Sequence, residues 1–173
     1  MPNALIIDPE LYSQPPVNAV PGARLVSRSI EALAAQLVNT NIFALGVLPA
    51  GHKLMFVALE TDDLDAAGPT VTIHVGILNT YYNEKVAAVG NSAAYNSGGQ
   101  TNIATQPELV SGHNIFTSST VAQSGGRVNP SLAFTDAIGV DYNKDRIIAV
   151  QLGVDPTSAQ TGTINLVYGL DVA

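Results

Sequence analysis

Between residues 42 and 78 the chain reads as three β-runs joined by two turns. Residues 43–48 are apolar and stop at Pro49-Ala50-Gly51. Residues 53–59 form the second run, which ends in an acidic turn over 61–68. In the third, Val71, Ile73, Val75 and Ile77 alternate with Thr72, His74 and Gly76. Alternation of this kind predicts a half-buried strand, because successive side chains point to opposite faces of a sheet. The pattern returns at the end of the chain over 146–152 and 163–170, with Asp155-Pro156 and Gly162 as turn residues between them. Ile164, Leu166, Tyr168 and Leu170 share one face of the last run. Short strands punctuated by turns, without intervening helices, predict an all-β fold: a single, jelly-roll-like β-sandwich.

Three stretches depart from that pattern. Residues 1–22 hold Pro2, Pro9, Pro15, Pro16 and Pro21, half of the ten prolines. Proline removes a backbone donor and disfavours helix at the residue before it, so an extended arm is expected ahead of a sandwich domain over 23–173. The arm's apolar residues Leu5, Ile6, Ile7, Leu11 and Tyr12 either fold back on their own domain or dock on a neighbouring subunit. Residues 24–38 read two ways. Ile30, Leu33, Ala34 and Leu37 have helical spacing with Ser29 as a possible N-cap, whereas Val26, Arg28 and Ile30 alternate. The β neighbourhood favours strand, and 30–38 stays open. Residues 87–130 are rich in Gly, Ser, Asn, Thr and Gln and carry only Glu108 and Arg127 as charges. They read as a polar, loop-rich insertion with turns at Asn96-Ser97-Gly98-Gly99 and Ser124-Gly125-Gly126 and one short strand or turn around Ile115-Phe116.

At 173 residues the chain suits one domain that buries roughly two-thirds of its unfolded surface. Charged residues make up only 12%, against a usual ~25%, while 46% are apolar. Low charge in a soluble chain points to surface covered in an assembly. A net charge of −7 with scattered basic residues argues against nucleic acid or an anionic membrane as partner. Cysteine is absent, which excludes disulfides, zinc–thiolate sites and thiol catalysis. The N-terminus lacks the positive start of a signal peptide, and no run is long enough for a membrane helix.

Candidate chemistry is thin. A cupin-type metal site would need converging imidazoles and a carboxylate, yet His52, His74, His113 and Glu60 lack the H-x-H pair. Asp62, Asp63 and Asp65 share a turn that could offer oxygen ligands to calcium. Asp141, Asn143 and Asp145 copy the start of an EF-hand loop, but Arg146 replaces its glycine and Leu152 its closing glutamate. Calcium at 62–65 or 141–145 is left open. No nucleophile elbow occurs, and Ser111-Gly112-His113 has no acid partner. Gly46-x4-Gly51 runs into His52-Lys53 before a strand, which is no phosphate loop. The glutamates offer no favoured pair for glycoside hydrolysis. No catalytic residue, cofactor or metal is expected.

Several segments together resemble the decoration (cement) proteins of tailed-bacteriophage heads. These are Ala23-Arg24-Leu25-Val26, the run Ile42-Phe43-Ala44-Leu45-Gly46-Val47-Leu48-Pro49-Ala50-Gly51, Leu59-Glu60-Thr61-Asp62-Asp63-Leu64, Thr72-Ile73-His74-Val75-Gly76-Ile77-Leu78 and Gly162-Thr163-Ile164-Asn165-Leu166-Val167-Tyr168. The likeness covers about half of the chain. It implies a non-enzymatic virion protein, made in the host cytoplasm, that binds the outer capsid surface. Such a protein bridges capsomers of the major capsid protein, as a homotrimer at local three-fold positions. On that reading Leu5, Ile6, Ile7, Leu11 and Tyr12 are assembly contacts. The alternatives are a receptor- or glycan-binding tail or fibre module, with Tyr81, Tyr82, Tyr95 and Tyr142 as stacking platforms, and a head-completion or tail subunit.

Overall fold

The structure, a computed structural model, describes residues 4–8, 11, 24–68, 70–81, 109–129 and 145–172. These build nine strands: β1 (Ala4–Ile7), β2 (Arg24–Ala32), β3 (Asn41–Leu48), β4 (His52–Thr61), β5 (Thr72–Tyr81), β6 (Leu109–Ser119), β7 (Gly126–Val128), β8 (Arg146–Val154) and β9 (Gly162–Val172). A five-stranded sheet runs β1-β3-β8-β5-β6 and a four-stranded sheet runs β2-β9-β4-β7. The antiparallel pairs β2–β9, β3–β8, β4–β7 and β5–β6 nest one inside another along the chain. That nesting is a hairpin rolled into two sheets, the jelly-roll topology. β1 is an addition to it, parallel to β3.

The main core fills the space between the sheets. Val71, Ile73, Val75 and Ile77 face it from one side, and Ile164, Leu166, Tyr168 and Leu170 from the other, as their period of two requires. Tyr168 ties the sheets together. Its hydroxyl donates to Val47 O and accepts from Val47 N–H, both at 3.1 Å, where β3 shifts register between Ala44 and Gly46. Gly46 leaves room for the ring: a Cβ there would stand 2.9 Å from Tyr168 Cε1. Burial pushes the Tyr168 phenol up to about 12, against the lowering pull of the Val47 backbone and the Arg28 charge.

A second apolar cluster covers the outer face of the five-stranded sheet, where Ile42, Ala44, Leu78, Ile147 and Ala149 meet Leu5, Ile7 and Leu11. Where this cluster lies, both faces of the sheet are dry, and β8 is buried at every position from Arg146 to Val150. In the arm, Leu5, Ile7 and Leu11 lie in the chain's own core and Ile6 turns to the other face, against the intersheet cluster. Tyr12 is outside the described residues.

The ambiguous stretch divides. Residues through Ala32 pair with β9 as strand, and the helical spacing beyond them yields a single 3-10 turn, Ala34–Gln36. Of the polar stretch 87–130, residues 87–108 and 130 are outside the described residues, including the Asn96-Ser97-Gly98-Gly99 turn. The rest supplies the eleven-residue β6, a 3-10 turn and β7, more regular structure than one short strand. Ser124-Gly125-Gly126 does turn the chain: Gly125 has φ +71, and a Cβ on it would meet Asp63 N at 3.0 Å.

Candidate functional site

The outer face of the four-stranded sheet is wet, and its polar side chains form one line across all four strands. Ser27 Oγ on β2 donates to Asn165 Oδ1 on β9 at 3.1 Å. Asn165 Nδ2 donates to Glu60 Oε2 on β4 at 2.8 Å. Arg127 on β7 closes the line with Nη1 3.0 Å from Glu60 Oε1. The guanidinium also stands 5.9 Å from the centroid of the Phe56 ring, within cation–π range. An exposed ion pair adds little stability, so the value of the line is geometric: it fixes donors and acceptors on a rigid sheet. Beside it lies a shallow groove of about 420 Å³, reached also by Ser29, Asp62 and Thr163.

Further along the same face the surface turns apolar. Gly169 on β9 is flanked by Leu25 on β2 and Phe56 on β4. Leu25 is 72% exposed, and Met55, the extra residue of a bulge in β4, is 45% exposed. Gly169 itself is buried between them. The face thus offers fixed hydrogen-bonding groups at one end and apolar contact at the other. No sequence motif announces this line, although Ser27, Ser29, Thr163 and Asn165 sit at the polar positions of their alternating strands.

Among the described residues, those weighed for metal or catalysis do not converge. His52 Nδ1 lies 3.0 Å from Ala50 O, and Arg146 Nη2 donates to His52 O. His74 Nδ1 accepts the Ser118 N–H. The side chain of His113 and the residues Tyr82, Tyr95, Asp141, Tyr142 and Asn143 are outside what is described, as is the Tyr81 side chain. Among the described residues, no three His, Asp or Glu side chains group as metal ligands.

The acidic turn has a different task, which is to satisfy backbone donors. Asp62 Oδ2 accepts from Thr163 N at 2.7 Å, and Asp63 Oδ1 from Asp65 N at 3.0 Å. Asp65, 2% exposed, takes Ser158 N on Oδ1 and Thr70 N on Oδ2, both at 2.8 Å, with Val71 N at 3.3 Å. Burial alone would raise its pKa. The N–H groups of Thr70, Ser158, Thr157 and Val71 outweigh it and lower the value from 3.8 to about 2. Asp145 Oδ1 likewise accepts Ala50 N at 2.7 Å.

No protein-family model matches the chain, and no curated protein does. Two solved structures share its fold from end to end. A chain of the capsid of Ralstonia phage GP4 superposes with a TM-score of 0.71 at 24% identity, covering 98% of this chain and 99% of that one. A chain of the cyanophage Pam1 capsid asymmetric unit gives 0.55 at 19% identity, covering 93% and 96%. At such identities the likeness is one of fold.

Proposed function

We propose that the chain is a structural protein of a bacteriophage virion that decorates the outer surface of the capsid and fastens neighbouring capsomers. The observation that carries this reading is the end-to-end fold likeness to chains of two phage capsids, in which neither this chain nor its counterpart has a domain left over. Net charge supports the outer surface: a protein of charge −7 without a basic patch is repelled by packaged nucleic acid. The rigid outer face of the four-stranded sheet supplies docking contacts without chemistry, and the major capsid protein is the partner. The homotrimer belongs to this reading through the resemblance to cement proteins.

The arm residues Leu5, Ile6, Ile7, Leu11 and Tyr12 serve assembly in this reading by strand exchange, β1 pairing with the β3 edge of a neighbouring copy as it pairs here with its own. Such exchange makes an intersubunit contact from existing contacts. The test is reconstitution. Purified protein added to shells assembled without it is expected to appear in electron micrographs as extra density on the outer surface, and to raise the temperature at which the shells rupture. Density confined to the neck or tail would point to a head-completion or tail subunit. Absence from the particle would overturn the reading.

A further inference from the structure

Among the described strands the two sheets have unequal widths, and the mismatch leaves a place for one more strand. β3 packs across the sandwich from β2, and β1 lies outside β3. Because β2 ends the four-stranded sheet, β1 overhangs a position beside β2 that no described strand fills. Burial marks the same position. Ile6 points to the intersheet side yet is only half-buried, while Leu5 and Ile7 on the opposite face are buried. Val26, on the inward side of β2, is half-buried too, whereas the inward residues of β9 are buried from Ile164 to Leu170. Leu25, Ser27, Ser29 and Glu31 are exposed. β2 is nine residues long and pairs along its whole length with β9 alone among the described strands. A long uncovered edge is a template for another strand.

We propose that this position receives an extended strand of the major capsid protein, paired to the free edge of β2 and covering Ile6 and Val26; the proposal rests on the decoration reading above. Two arguments select that occupant. A second copy presenting its own β2 is blocked, since its β3 would fall where β1 already overhangs; only a strand without a facing sheet fits. A single added strand also covers far less than the roughly 1,200 Å² at which stable protein pairs begin, so the segment must be tethered by other contacts, as in a shell. Recognition then follows strand addition: main-chain bonds to β2, apolar residues at alternate positions against Ile6 and Val26, and polar residues outward beside Ser27 and Ser29.

Amide hydrogen exchange of the full-length protein, free and bound to shells assembled without it, tests the proposal. In the free protein, alternate amides over 25–31 are expected to exchange about tenfold or more faster than those of β9, and to slow by a similar factor on shells. Edge amides already slow in the free protein would mean that the chain covers its own edge, which overturns the proposal. Shell binding without slowing overturns it as well and leaves the decoration reading standing. Failure to bind shells removes that reading and the partner with it. As a second measurement, Val26→Lys is expected to weaken shell binding by about tenfold while Ala67→Lys, in the exposed acidic turn, leaves it unchanged; equal binding by all three proteins would overturn the proposal. The exchange experiment needs no variant and decides even if Val26→Lys fails to fold.

Discussion

At Tyr168 one hydroxyl serves both the donor and the acceptor of Val47, across the gap between the sheets. Tyr168→Phe keeps the ring and strands two backbone groups at about 1–3 kcal/mol in total, which lowers the melting temperature by roughly 2–4 °C per kcal/mol in a chain of this size. Calorimetry of the variant checks it; an unchanged melting temperature would mean that Val47 finds other partners. Asp65 acts on the same scale by gathering amides from two loops. Because its folded pKa lies below its unfolded one, its contribution is complete above about pH 4 and is lost as the pH falls towards 2. Asp65→Asn is therefore expected to melt lower than the wild type at neutral pH. The gap should narrow as both proteins are taken from pH 4 to pH 2 in the same series. A constant gap would show that the ionised carboxylate adds nothing.

At the scale of elements, legibility followed how many faces of a strand are buried. β5 and β9 alternate because one face meets the core and the other is wetter, and their inward residues could be named from the sequence. β8 hides both faces, so RIIAVQL shows an apolar run without a period. β6 was nearly illegible, since its polar LVSGHNIFTSS pairs with β5 through three register shifts that break any period of two. The helical spacing of Ile30, Leu33, Ala34 and Leu37 lost to pairing with β9 as far as Ala32 and kept only the 3-10 turn Ala34–Gln36, because tertiary hydrogen bonds outweigh propensity in a single turn. The outer line from Ser27 to Arg127 was invisible because only cross-strand register brings those residues together. The arm yields a sharper expectation. Leu5 and Leu11 are each 2% exposed, so Leu5→Ala and Leu11→Ala should each cost about 2–5 kcal/mol. Their melting temperatures should fall accordingly at every protein concentration. If instead the wild-type melting temperature climbs with concentration, β1 is bound to another copy, as strand exchange requires.

Over the whole molecule, nested pairing and low charge act together. The outermost pair joins β2 near the start to β9 at the end, so folding must close nearly the entire chain, a topology that folds slowly. Once closed, the sandwich presents few charges, 12% of its residues, and its exposed line already pairs Arg127 with Glu60. Contacts made through strand edges, exposed apolar side chains and neutral hydrogen-bonding groups are screened little by salt. Shell binding is thus expected to change by less than about tenfold between 0.1 M and 1 M salt, a range over which the Debye length falls from about 10 Å to about 3 Å. Sedimentation of shells with bound protein across a salt series measures it. A steep loss would assign the binding energy to the few charges. A flat profile would assign it to packing and backbone pairing, the only resources that a sparsely charged sandwich has in quantity.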